Sequence, residues 1–150
     1  MSDSEEQKIV HIHLPKEESF KTTLTAGEHE LIADEPLHVE GGQNLGPDPY
    51  DLLLMALGSC TVMTVKMYAQ RKGWEVGEMY MELKHNKSHV EDCKTCDKPS
   101  SKIDLIEKEL IIKGDLTDEQ QEKLLEISKK CPVHRSLLTE VRIESTISIQ

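Results

Sequence analysis

Apolar residues follow different rhythms in different parts of the chain. The longest apolar stretch runs from Leu52 to Gln70, where Lys66 is the only charge. A Gly- and Pro-rich segment, residues 41–49, leads into it. Pro49 and Asp51 are helix start signals and Gly73 is a stop. The pattern predicts one long helix from about Tyr50 to Lys72. An apolar run of about 19 residues is long enough to span a bilayer. Gly58, Ser59, Cys60, Thr61 and Thr64 dilute it, however, and the rest of the chain is strongly polar. The expectation is a helix buried on nearly every side of a soluble protein.

Elsewhere the period shortens to two. Lys8–Leu14, Ser19–Ala26, His29–Ala33 and Leu37–Glu40 read as a run of short antiparallel strands, with Gly27-Glu28 and Asp34-Glu35-Pro36 as turns. After the helix, Val76–His85 alternates and predicts a long strand. Residues 86–101 are a polar loop, and Ile103–Lys113 pairs back as another strand ended by Gly114. Thr117 is an N-cap, followed by Asp118 and Glu119 in the first turn of a helix running to Lys130. Cys131-Pro132 interrupts it and a short helix covers Val133–Leu138. Val141–Ile149 alternates strictly and is expected to close the chain as a strand. Strands around one apolar helix predict an α+β fold. The chain reads as a single domain over residues 1–150, with residues 1–6 as a frayed tail. Covering such a helix strains a chain of 150 residues, which hints at an oligomer.

Charge narrows the partners. The formal net charge is −10, which argues against nucleic acid and against an anionic membrane surface. The acidic N-terminal segment lacks a signal-peptide apolar core, so a cytoplasmic protein is expected. Its four cysteines are then reduced at rest, serving as metal ligands, catalytic groups or core residues.

Cys60 lies in the middle of the apolar helix, on a stripe with Leu53, Ala56, Leu57, Met63, Thr64 and Met67. Taken alone, it is a small core residue. Cys131 alone is a helix-end core residue before Pro132. Cys93-Lys94-Thr95-Cys96 is a CxxC, with His85 and His89 upstream. Cys93, Cys96 and His89 are the weak metal candidates, against a labile disulfide or plain solvent-exposed cysteines. No cofactor is expected.

Two blocks carry a resemblance. Residues 46–61 read Gly-Pro-Asp-Pro-Tyr-Asp-Leu-Leu-Leu-Met-Ala-Leu-Gly-Ser-Cys-Thr, and residues 131–137 read Cys-Pro-Val-His-Arg-Ser-Leu. Together they resemble the OsmC/Ohr family of thiol-dependent peroxidases, over roughly residues 14–150. The resemblance implies antiparallel sheets wrapped around a long central apolar helix in an intertwined homodimer. It also implies that Cys60 attacks an organic hydroperoxide, that Cys131 resolves the resulting sulfenic acid as a Cys60–Cys131 disulfide, and that a dithiol reductant resets the pair.

Such a cysteine must react as a thiolate. Burial in apolar surroundings raises its pKa, so a nearby cation or hydrogen-bond donor is required. In the family the cation is usually an early arginine held by a glutamate. Here no arginine precedes Arg71, and Tyr50 stands at the glutamate position with Asp51 following. The candidate substitutes are Lys21, Arg135, His134 and His38, and Asp51 joins the candidate site. The alternative is a non-catalytic, redox-sensing or lipid-like small-molecule binding protein on the same scaffold.

Overall fold

The structure, a computed structural model, describes residues 6–89 and 102–150. Its contacts divide the chain into two compact units, residues 1–53 and 54–150. The fold is α+β: two antiparallel sheets and, among the described residues, three helices.

The first unit is a three-stranded meander of β1 (His11–His13), β2 (Thr22–Ala26) and β3 (His29–Ala33), in the order β1-β2-β3. The turn between β2 and β3 needs a positive φ, supplied by Gly27 at 60°. β1 is shorter than the expected Lys8–Leu14, because only three residues find partners on β2, from His11 opposite Thr25 to His13 opposite Thr23.

The expected strand at Leu37–Glu40 does not form. The Val39 N–H donates to the Pro36 carbonyl and the Gly42 N–H to the Val39 carbonyl. These tight turns consume the backbone groups that a ladder requires. Buried Asp34 organises the loop instead. Its carboxylate accepts N–H bonds from Glu35 at 2.7 Å and Leu45 at 3.2 Å. The loop delivers the chain to α1 (Pro49–Lys72). There Asp48 and Asp51 cap each other, each carboxylate accepting the other's backbone N–H, at 2.8 and 3.1 Å. At the far end Gly73, with φ 70°, stops the helix as its sequence predicts.

The second unit holds most of α1, the two-stranded sheet of β4 (Met79–His89) and β5 (Lys102–Ile112), and the helices α2 (Asp118–Ser128) and α3 (Pro132–Leu138). β4 begins three residues after the predicted Val76, since Gly77 and Lys113 close the ladder's end, and it reaches past the expected His85 to His89. Thr117 and Gln120 form a capping box at the start of α2, exchanging bonds of 3.1 and 2.9 Å. The core is Val65 and Ala69 of α1 against Leu124 and Ile127 of α2. Tyr68, Trp74, Met79, Leu110 and Ile112 are packed around it. A helix with the length and composition of a membrane span is thus the central element of a packed core.

One expectation fails in this unit and another is met only in part. Within the single chain α1 is buried along one line. Leu57, Gly58, Thr61, Val65 and Ala69 form its buried line, whereas Met55, Met63 and Met67 are more than half exposed. The single chain supplies cover for one face only. Val141–Ile149 forms no strand: it makes no ladder, and Ile143, Ile147 and Ile149 are each more than 80% exposed. The alternation is present, but among the described residues the segment joins neither sheet.

Candidate functional site

The site grows from the buried line of α1. Thr61 lies on that line and is fully buried, while Cys60, one position earlier, is turned partly to solvent. Cys131 reaches the same place from the other side of the sequence. It is the N-cap of α3, with Pro132 at the first helical position, and its side chain is fully buried. The His134 N–H donates to the Cys131 sulfur at 3.3 Å. The Thr61 hydroxyl lies 3.5 Å from that sulfur and also meets the Leu57 carbonyl at 2.8 Å. Both cysteines are free thiols, and each acts on the acidity of the other.

The nearby cation is Lys108. It occupies an inward position on β5 in phase with Ile106, Leu110 and Ile112. Its ammonium donates to the Ser128 carbonyl at 2.7 Å and to Thr61 Oγ1 at 3.0 Å. Burial lowers its pKa from the ordinary lysine value, against the pull of Cys131 and Cys60.

The two sulfurs are driven apart electrostatically. Burial opposes a charge on Cys131. Hydrogen bonds from Thr61, the His134 amide and Cys60, together with the Lys108 ammonium, outweigh it and hold Cys131 below the usual thiol pKa. Burial pushes Cys60 up. The Val133 amide and the Thr64 hydroxyl resist this, and the charge on Cys131 reinforces it.

The other residues expected at the site fall differently. His134 contributes its backbone N–H to Cys131. Burial, then the charges of Lys108 and Lys129, lower the pKa of its ring and favour neutral imidazole. Arg135 is exposed on α3, its own N–H bonded to the Cys131 carbonyl. Asp51 is exposed and engaged in the α1 cap. Lys21 precedes β2, and His38 is exposed in the turn after Pro36; both belong to the first unit. Of the metal candidates, His89 closes β4, and Cys93 and Cys96 lie outside the described residues.

Sequence reasoning missed Lys108 and Thr61. The signal for Lys108 was a lysine in the apolar phase of an alternating strand, where a charge is costly unless it has a partner. For Thr61 there was only its adjacency to Cys60.

The described arrangement holds two free thiols whose acidities are shifted in opposite directions, beside a cation. This can support sulfur nucleophilicity and disulfide formation. Comparison with known proteins agrees with the fold. A family model described as OsmC-like protein matches residues 41–146. No curated protein matches the sequence. An OsmC-like protein of Mycoplasma pneumoniae superposes with a TM-score of 0.71 at 18% identity, covering 89% of each chain. An organic hydroperoxide resistance protein of Legionella pneumophila gives 0.64 at 15% identity, over 89% of this chain and 90% of that one. Another, from Elizabethkingia anophelis, gives 0.61 at 16% identity, over 88% and 89%.

Proposed function

The chain belongs to the OsmC-like family, and from that footing we infer that it is a thiol-dependent peroxidase reducing organic hydroperoxides. The observation that carries this reading is that free Cys131 lies against Thr61, the chain neighbour of free Cys60, so that the two thiols share one site. The organic hydroperoxide resistance proteins of similar fold support the substrate class.

In this reading the Cys60 thiolate attacks the distal oxygen of the hydroperoxide. The O–O bond breaks, the alcohol leaves, and Cys60 becomes a sulfenic acid. The Cys131 thiolate then displaces hydroxide from that sulfur, forming the Cys60–Cys131 disulfide. A dithiol reductant returns both residues to thiols. Cys60 is the more accessible sulfur and Cys131 the buried one, which suits attack by the first and resolution by the second. The working form is a homodimer. The uncovered methionines of α1 and the unpaired alternating segment 141–149 are the surfaces that a second copy would cover.

The test is intact mass and peptide mapping after adding stoichiometric cumene hydroperoxide to reduced protein. The expected result is rapid loss of two hydrogens, mapped to Cys60 and Cys131 and absent in Cys60→Ser. Persistence of both thiols at hydroperoxide levels that oxidise a competent peroxidase would overturn the reading.

A further inference from the structure

The geometry assigns Lys108 as the positioning residue that holds the negative charge of the cysteine pair, acting on Cys131 through the hydroxyl of Thr61. In its catalytic consequence this rests on the peroxidase reading above; its effect on the thiols does not.

Lys108 stands at a core-facing strand position, where an ammonium is costly unless its charge and donors are satisfied. Its two hydrogen-bond partners, Ser128 O and Thr61 Oγ1, are neutral. Among the described residues, no carboxylate forms an ion pair with it. The anions available to it are the sulfurs: both thiolates act on Lys108 in the direction that favours its charged form.

Thr61 connects the two. Its hydroxyl has one proton and two acceptor sites. Lys108 fills one acceptor site. With Cys131 as a thiol, the Thr61 proton goes to the Leu57 carbonyl and the S–H can donate to the hydroxyl. With Cys131 as a thiolate, the Thr61 proton turns to the sulfur. The distances of 2.8, 3.0 and 3.5 Å accommodate both arrangements. Moving between them takes rotation of one O–H bond. The Lys108 charge polarises that bond toward the sulfur and so favours the thiolate arrangement.

The surrounding titratable groups do not displace Lys108 from this role. From α1 comes Cys60; from α3 come Cys131 and His134, the latter kept from charging by burial, Lys108 and Lys129. From β4, the residue opposite Lys108 in register is Leu83. Glu82, Lys84, Glu107 and Glu109 line a surface pocket with Lys108, but all four are exposed, and their charges are screened by solvent.

The chemical consequence is a division of labour. In this assignment the resting pair carries its negative charge on Cys131, beside Thr61 and Lys108, with Cys60 as the thiol. As the hydroperoxide arrives, the Cys60 proton passes to Cys131 and Cys60 attacks. The departing alkoxide takes the proton back from Cys131, leaving as alcohol. The regenerated Cys131 thiolate attacks the sulfenic sulfur, the S–O bond breaks, and hydroxide leaves to solvent. One thiolate, one thiol and one hydroperoxide thus yield a disulfide, an alcohol and hydroxide, with charge conserved.

The test is the pH titration of ultraviolet thiolate absorbance in a chain carrying Cys93→Ser and Cys96→Ser, so that only the pair titrates. Lys108→Met is expected to lower the thiolate fraction at pH 7 about tenfold, the equivalent of one pH unit. Lys108→Arg should restore most of it, and Thr61→Val should reproduce most of the loss. An unchanged titration in Lys108→Met would overturn the assignment. A normal titration in Thr61→Val beside a shifted one in Lys108→Met would overturn the route through the hydroxyl. Should Lys108→Met fail to fold, Lys108→Arg and Thr61→Val decide the matter: a Thr61→Val titration like that of the parent overturns it. Hydroperoxide-dependent disulfide formation, measured in parallel, separates the two readings. A parent that forms none, while its thiolate still depends on Lys108, sinks the peroxidase and leaves this assignment standing.

Discussion

The hydroxyl of Thr61 lies 3.5 Å from the sulfur of Cys131, 70 residues away in the chain. Neither residue is exposed to solvent. A polar contact so placed links α1 to the start of α3 at the point where Lys108 of β5 also arrives. Stability and thiol chemistry are therefore coupled at one buried hydroxyl.

Thr61→Val conserves volume and removes that hydroxyl. Lys108 then keeps only the Ser128 carbonyl, and a half-buried ammonium faces a methyl group. The expected loss is about 1–3 kcal/mol, the usual cost of an unsatisfied buried polar group. Urea unfolding measures it. A midpoint equal to that of the parent would show that the hydroxyl contributes nothing to the fold.

His134 supplies a pH dependence. Its folded pKa lies below the ordinary histidine value, because burial and then the charges of Lys108 and Lys129 disfavour the imidazolium. The unfolded chain therefore binds more protons than the folded one between the two pKa values. Stability falls as pH drops from about 6.5 through the depressed folded value, then levels off. His134→Gln should flatten that part of the curve and leave it alone above neutrality. Paired urea titrations at several pH values test this, and parallel curves for the two proteins would refute it.

Leu124 is 1% exposed at the centre of the core, whereas its neighbour Leu125 is 57% exposed. Leu124→Ala should cost about 2–5 kcal/mol, the range for truncating a buried leucine. Leu125→Ala in the monomeric unit should stay within about 0.5 kcal/mol. Comparable losses at both would mean that Leu125 is covered in solution.

Segment 141–149 and the Met55, Met63 and Met67 line of α1 are exposed apolar features of the single chain. If a second copy covers them, light scattering on the full chain gives twice the mass of 17.0 kDa. Removing residues 141–150 should shift it toward the monomer. A full-length chain that runs as a monomer at micromolar concentration removes the basis for the homodimer.

Much of the fold was legible because its signals are local. Pro49, the Asp48–Asp51 cap and Gly73 bound α1 by backbone chemistry within a turn of each end. Thr117 with Gln120 starts α2 the same way. The strand expected at Leu37–Glu40 failed for an equally local reason, since Pro36 and Gly42 turn that stretch back on itself. Val141–Ile149 failed for a non-local one: alternation prepares a strand, but only a neighbouring edge makes it one.

The site divides along the same line. Sequence alone determined that a cysteine sits within an apolar helix, that a second precedes the Pro132 helix start, and that no arginine precedes Arg71. Those are properties of composition, caps and order along the chain. Tertiary structure alone decided that Cys60 and Cys131 meet, that His134 addresses the sulfur through its amide rather than its ring, and that the nearby cation is Lys108. The period of β5 tells which way Lys108 faces. What it faces depends on how α1 packs on the sheet, and that packing is fixed by contacts among residues far apart in sequence, such as Val65, Leu110 and Leu124.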